Sequence, residues 1–344
     1  AYANFNTGEK YKEHLLDLTA GYSYQDWFTS SPNNPSYNQA QDSIIGLPAA
    51  NPFYTKNALL SFYARGIYTF KNQFVVNLSM RRDGSSRFSS EQRWGWFPAA
   101  SAAWLLSEGF LKDVKEISML KIRAGYGVTG QQDGIGDYAY IGNYFEGATN
   151  AQYAFGGQYY TVFRPAGYDA NLKWETTRQF NIGADMTFWN KLDFTTNYFV
   201  KNTFDLLFQP EVTAVLGSYG PGGYPPIINA GNVSNKGVEL ELAYKTQRKK
   251  PFTADLNINF TTISNKVTAV PEGVDYIPGA QFSVGGDIAT RFQTGYEIGY
   301  FFGYETAGIF QTQDEIDNAA VVQDGAQPGD LIFVDQNGDG VVNF

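Results

Sequence analysis

Hydrophobic and polar positions alternate with period two along much of the chain. In "LLDLTAGYSY" (15–24), Leu16, Leu18, Ala20, Tyr22 and Tyr24 fall on one side, and Asp17, Thr19, Gly21 and Ser23 on the other. Side chains of an extended backbone point alternately to two faces, so the pattern predicts a two-faced β-strand. It returns in "LLSFYARGIYTF", "FVVNLSM", "WGWFPAASAAW", "LKIRAGYGVT", "FNIGADMTFW", "LDFTTNYFVK", "GVELELAYK" and "FTADLNINFTT", making nine segments. Most are long enough to cross a hydrocarbon layer at a tilt, which takes about 9–11 residues.

The charges choose a face. Arg65, Lys121, Arg123, Asp185, Asp193, Glu239, Glu241 and Asp255 all fall on the polar side of their segments, and the other side is almost free of charge. A charge facing lipid near the midplane of a barrel costs roughly 2–4 kcal/mol, whereas a wet lumen tolerates it. A soluble sandwich also hides one face, so alternation alone does not decide between the two. The connections do. They run long (25–58), short (around Lys71 and Asn72), long (82–93), moderate (105–118), very long (130–178), short (around Asn190 and Lys191), very long (202–235), short (246–251) and very long after Ser264.

Long and short ends thus alternate strictly, as in an up-and-down outer-membrane barrel with short periplasmic turns and long outer loops. The expected fold is all-β, a transmembrane antiparallel up-and-down β-barrel. Tyr68, Phe70, Trp94, Trp96, Trp104, Phe188 and Trp189 near the segment ends suit interfacial girdles. Nine is an odd number for a bacterial barrel, so residues 1–344 are expected to form part of one larger barrel domain.

Composition narrows the function. Aromatics make up 17% of residues and Gly numbers 36, a mixture suited to strands and polar turns, and the net charge of -9 argues against nucleic acid as a partner. No apolar run reaches the eighteen residues of a membrane helix, which leaves strand crossing open. With no Cys and the single His14, read as a solvated residue ahead of the first strand, the usual hydrolytic arrangements lack a base or nucleophile, and no enzyme is expected. Glu239 and Glu241 share the polar face, where a solvated wall explains them better than a glycosidase pair.

Three stretches carry candidate chemistry. The loops "GNYFEGATNAQYAFGGQYYTVF" (142–163) and "LGSYGPGGYPP" (216–226) are dense in Tyr, Asn, Gln and Gly, a mixture that stacks on sugar rings and equally binds peptides. Tyr159, Tyr160, Tyr219 and Tyr224 are the candidate substrate contacts. The terminal "DQNGDGVVNF" places Asp335, Asn337 and Asp339 at positions 1, 3 and 5 of an EF-hand-type loop, Gly340 at 6, the Val341 carbonyl at 7 and Asn343 at 9. Position 12 falls beyond residue 344, so the set is incomplete. A structural Ca2+ and a metal-free Asx-turn both fit this stretch, and no other cofactor is required.

Five stretches together resemble the SusC-like (RagA-like) TonB-dependent outer-membrane transporters: "RRDGSSRFSSEQRWGWFPAASAAWLLSEGFLK", "LKIRAGYGVTGQQDGIGDYAY", "LKWETTRQFNIGADMTFWNKLDFTTNYFVKNTFDLL", "NAGNVSNKGVELELAYK", and "GYFFGYETAGIFQTQDEI" with "PGDLIFVDQNGDG". They occur in family order from about residue 59 onward. The resemblance implies an outer-membrane barrel of 22 strands around an N-terminal plug. It further implies import of oligosaccharides, with peptides as the alternative, a SusD-like surface lipoprotein over the outer loops, and TonB acting through an N-terminal region. Outer-membrane lipid is the surrounding partner. The small residues of "FPAASAAW" suit either approach of the plug or tight strand packing. A passive porin or a soluble glycan-binding β module are the readings outside the family.

Overall fold

The computed structural model describes residues 1–8, 13–30, 35–46, 54–146, 152–209, 226–246, 253–279 and 288–342. They fall into two compact units, Ala1–Glu272 and Gly273–Phe344.

The first unit is built on one ten-stranded antiparallel sheet whose strands pair in chain order. The strands are β1 (Tyr2–Asn6), β2 (His14–Ser30), β3 (Tyr54–Phe70), β4 (Phe74–Ser85), β5 (Trp94–Leu105), β6 (Ile117–Gln131), β7 (Glu175–Phe188), β8 (Leu192–Phe204), β9 (Asn232–Lys245) and β10 (Asp255–Ala269). All nine segments expected from periodicity are strands. The tenth, β1, is five residues long, too short for alternation to declare it, and it is fixed by pairing with β2 from Tyr2–Gly21 to Asn6–Asp17.

Sequential pairing makes every tight connection a hairpin. At Phe70–Gln73 and Phe188–Lys191 the turn closes at 2.9 Å. Its two central residues, Lys71 and Asn72 or Trp189 and Asn190, have positive φ, the geometry that matches the twist of the flanking strands. The expected strict alternation of connection length is not met everywhere. Residues 106–116 at the short-turn end outnumber residues 86–93 at the long-loop end, because β4 continues through Ser85 and takes up part of the expected loop. His14 is likewise the first residue of β2, and its Nδ1 lies 2.6 Å from the Tyr68 hydroxyl while its ring packs on Phe70.

Register carries the apolar face across the sheet. Leu78 lies opposite Ala100, Ala100 opposite Tyr126, Tyr126 opposite Phe180, Phe180 opposite Val200, and Val200 opposite Lys236. Four residues lower on the same face, another row links Phe74, Trp104, Ile122, Ala184, Thr196, Leu240 and Phe260. Many large side chains on this face are exposed, among them Leu78 (57%) and Phe260 (59%), as lipid contact requires and aqueous contact would penalise.

The band has two margins. Its lower edge is Phe74 on β4, Phe188 on β7 and Tyr244 on β9, and its upper edge is Arg82, Arg178 and Lys236 on the same strands. Eight residues separate the edges on β4 and β9, and ten on β7. At about 3.3 Å per residue and a tilt near 40°, this is a height of roughly 20–25 Å, the apolar band of an outer-membrane barrel.

The second unit is smaller. It holds a three-stranded sheet (276–278, 290–293, 300–301) and a two-stranded one (306–309, 331–333). A helical turn, Gln313–Asp317, is capped by the Thr312 hydroxyl. Phe310 is its buried centre, with its N–H donated to Asp330 C=O at 3.0 Å and its C=O accepting from Gly329 at 2.8 Å.

Neighbouring positions on β4 test the two faces. Leu78→Arg is expected to lower the folding stability of the intact receptor by roughly 2–4 kcal/mol in lipid vesicles, and Ser79→Arg by less than about 1 kcal/mol. Urea titration of both variants checks this, and equal losses would refute the assignment of faces.

Candidate functional site

The face opposite the apolar band is a wall of linked polar side chains. Lys121 Nζ lies 2.7 Å from Asp185, and Arg123 reaches the same carboxylate at 3.3 Å. Arg123 also donates to Asn197 Oδ1 at 3.3 Å, and Asn197 Nδ2 donates to Glu239 at 2.9 Å. These residues stand on β6, β7, β8 and β9, so one chain of charge-assisted bonds crosses four strands. Nearby, Asp193 accepts from Thr187 at 2.8 Å and pairs with Lys245 at 3.3 Å.

Glu239 and Glu241 lie on this wall, paired with Asn197 and Thr195 across the ladder. Glu239 is a hydrogen-bonded end of the network, and Glu241 lines a small cavity with Asp185, Asp193 and Lys245. In "FPAASAAW", Ala99 and Ser101 pair with Gly127 and Gly125 on the polar face, and a Cβ added at either glycine would meet its partner only at ordinary van der Waals distance, so this part of the wall is low and lacks close side-chain packing.

At the long-loop end the first unit has a true core. Phe88, Phe97, Ile135, Leu172 and Trp174 are buried together, with Leu59, Val128, Ala139, Leu207 and Ile227 packed around them. The ladder between β5 and β6 stops at Ala99–Gly127, and the Phe97 ring fills the space above it. A Cβ at Gly95 or Gly130 would overlap that ring, so glycine is required for its approach.

Trp174 packs edge-on to Phe97 at 5.4 Å between centroids, and its Nε1 donates to Arg93 C=O at 3.0 Å. Arg87 ties the same loops together by donating to Asp137 at 3.0 Å. Asn229 works as a staple: its Oδ1 accepts from Lys173 N at 2.7 Å, and its Nδ2 donates to the carbonyls of Lys173 at 2.8 Å and Asp205 at 2.9 Å. None of this follows from periodicity, because the partners come from three different connections and from β5.

The candidate substrate residues fare unequally. Tyr159 and Tyr160 lie on a hairpin formed by Gln152–Phe155 and Gln158–Thr161, turned by Gly156 and Gly157 at φ 60° and 80°. Being adjacent on a strand, they point to opposite faces, so they do not converge on one ligand. Pairing places Tyr160 opposite Tyr153, and Gln158 opposite Phe155. Tyr153, Phe155, Tyr160 and Gln158 therefore share one face, with the Tyr153 and Phe155 rings within 20° of parallel and Tyr160 Oη donating to Gln158 Oε1 at 3.3 Å. Tyr153 (64% exposed) and Phe155 (67%) were absent from the sequence-based set, although "QYAFGGQYY" carries a Gly-Gly turn signal that reveals the pairing. Tyr219 and Tyr224 lie outside the described residues.

The terminal acidic loop is closed by its own amides. Asp335 accepts from Gly338 N at 2.8 Å and Gly340 N at 2.7 Å, Asn337 Oδ1 accepts from Asp339 N at 3.0 Å, and Asp339 Oδ1 accepts from Val341 N at 2.9 Å. Among the described residues no group of three or more His, Cys, Asp or Glu is gathered as a metal site, and Asn343 lies outside them.

Phe97→Ala tests the loop core. It is expected to destabilise the intact receptor by about 3–5 kcal/mol and to speed proteolysis within residues 132–174. Unchanged cleavage rates by limited proteolysis would show that the loops are held without this ring.

Residues 2–333 match the family described as TonB dependent receptor-like, beta-barrel. The chain is 34% identical over 299 residues to the TonB-dependent receptor SusC of Bacteroides thetaiotaomicron, covering 85% of this chain and 28% of that protein. It is 29% identical over 362 residues to the TonB-dependent receptor P3 of Formosa agariphila, covering 99% of this chain and 34% of that protein. Its fold superposes on the RagAB peptide importer in the "closed-closed" state with a TM-score of 0.73 at 21% identity, over 97% of this chain and 36% of that one. The chain thus spans about a third of the length of the relatives it matches. An antiparallel sheet with a lipid-compatible outer face, a charged inner wall and packed outer loops agrees with these likenesses, and the chain belongs to the β-barrel of the SusC-like TonB-dependent receptors of the outer membrane.

Proposed function

We propose that the receptor to which this barrel segment belongs imports oligosaccharides across the outer membrane in a TonB-dependent manner. The observation that carries the substrate class is the aromatic face of the 152–161 hairpin, where Tyr153, Phe155 and Tyr160 surround the Gln158 amide. Flat, exposed rings stack on the apolar faces of sugar rings, and an amide beside them exchanges hydrogen bonds with hydroxyls. The core around Phe97 and Trp174 supports such a role, because recognition loops need a rigid base.

The remaining parts of the reading rest on the family likeness. A SusD-like surface lipoprotein covers the outer loops and traps substrate against them. TonB acts on a plug inside the completed barrel and opens a path along the charged wall. The chain performs no bond chemistry in this scheme. Peptide is the competing cargo, since the RagAB importer of similar fold is a peptide transporter by name and aromatic loops also hold peptides.

The test uses the intact receptor with its lipoprotein partner, titrated calorimetrically against a panel of oligosaccharides and a panel of peptides. Binding from the glycan panel is expected, weakened about five- to thirty-fold by Tyr153→Ala or Tyr160→Ala. Binding from the peptide panel alone would replace the glycan reading, and affinity unaffected by both substitutions would remove the hairpin from the site.

We also propose that the Asp335–Val341 loop holds a structural calcium ion in the intact protein. Each Asp335 carboxylate oxygen accepts one amide hydrogen, and a carboxylate oxygen has a second lone pair to offer. Asn337, Asp339 and the Val341 carbonyl add oxygens at the spacing such loops use. Calorimetric titration with Ca2+ is expected to show one site, lost in Asp339→Ala along with any thermal stabilisation by the ion. A titration without heat, combined with unchanged melting of that variant, would leave the stretch as an Asx-turn.

A further inference from the structure

The upper margin of the apolar band carries three cations, and they follow a line. Relative to the paired row through Leu78, Phe180 and Lys236, Arg82 stands four residues higher on β4, Arg178 two residues higher on β7, and Lys236 on the row itself. The lower margin steps in the same sense: Phe74 is four residues below that row, and Phe188 and Tyr244 are eight below it. Strands of a barrel tilt from its axis, so a line of constant depth crosses the hydrogen-bonded rows obliquely. Arg82, Arg178 and Lys236 therefore mark one depth, that of the outer headgroups.

Arg82 is the most elaborately held of the three. Its guanidinium lies over both indoles, 4.7 Å from the Trp94 ring centroid and 4.9 Å from that of Trp96. Trp94 is seated by Gly84, where any Cβ would collide with the indole. Arg82 Nε is shut off from solvent without a hydrogen-bond partner, and no carboxylate among the described residues pairs with this side chain. A guanidinium on a lipid-facing surface calls for an anion, and the strand supplies none.

Directly below it the apolar face is hollow. A groove of about 800 Å³ is floored by small residues, including Ala20, Ala64, Gly66 and Ala100, and walled by Leu78 and Tyr126. Met80, the residue two below Arg82 on the same face of β4, also lines it. A cationic, aromatic clamp above an apolar trough has the two chemistries of one amphiphile in the right order.

We infer that this face binds an anionic lipid of the outer leaflet, its phosphate at Arg82 and an acyl chain in the trough between β2 and β6. Arg178 and Lys236 extend the same phosphate-attracting line around the barrel. Juxtamembrane cations attract anionic headgroups by about a fivefold gain in binding each.

The experiment is native mass spectrometry of the intact receptor in non-ionic detergent, titrated with phosphatidylglycerol and with phosphatidylcholine of matched chains. Phosphatidylglycerol is expected to be retained preferentially, and Arg82→Gln is expected to lower its retention at least about fivefold. Ala100→Phe, which fills the trough and leaves every charge in place, is expected to lower it as well. This second variant keeps the test decisive if Arg82→Gln fails to insert, and heat-modifiable gel mobility confirms that each variant is folded. Equal retention of the two lipids by the wild type, or retention unchanged in the folded variants, would overturn the inference and leave Arg82 as a side chain that only reaches for water.

Discussion

Backbone hydrogen bonding without water is the constraint on which this structure depends. In hydrocarbon each unpaired N–H or C=O costs several kcal/mol, so strands cross only as members of a continuous ladder. The ten strands obey this by pairing each with its chain neighbour. Once the ladder is continuous, a one-residue slip anywhere would turn polar side chains to lipid, so register is set by the two-faced pattern itself. The row from Leu78 to Lys236 is the direct outcome.

The two faces then take on different work. The outer one is held at a depth by aromatic and cationic margins, and the inner one collects the charges that lipid refuses. There the Lys121–Asp185–Arg123–Asn197–Glu239 chain gives each charge a partner across the strands and so stiffens the wall. Above the membrane, where water again solvates the backbone, ordinary packing returns. Phe88, Phe97, Leu172 and Trp174 bury each other, and Asn229 satisfies three backbone groups at once.

How much of this was legible follows from distance along the chain. Strands and faces were legible because period-two alternation is a local property, as in β2, β6 or β9. The five residues of β1 were not, since Tyr2–Asn6 becomes a strand only through the β2 edge beside it. Tyr159 and Tyr160 were found as exposed aromatics, but the shared face of Tyr153, Phe155 and Tyr160 needed the hairpin pairing. The loop core was invisible, because its members come from residues 88, 97, 135, 172 and 174 and only folding brings them together.

The sequence by itself determined the fold class, the two faces of the nine long strands and the family. Those properties depend on residue type and on neighbours within a few positions. The tertiary structure decided which side chains meet: Phe97 with Gly130 and Trp174, Asn229 with Lys173, and Arg82 with two tryptophans over an apolar trough. Contacts of that kind are set by strand register and loop closure over tens of residues, and no local pattern encodes them.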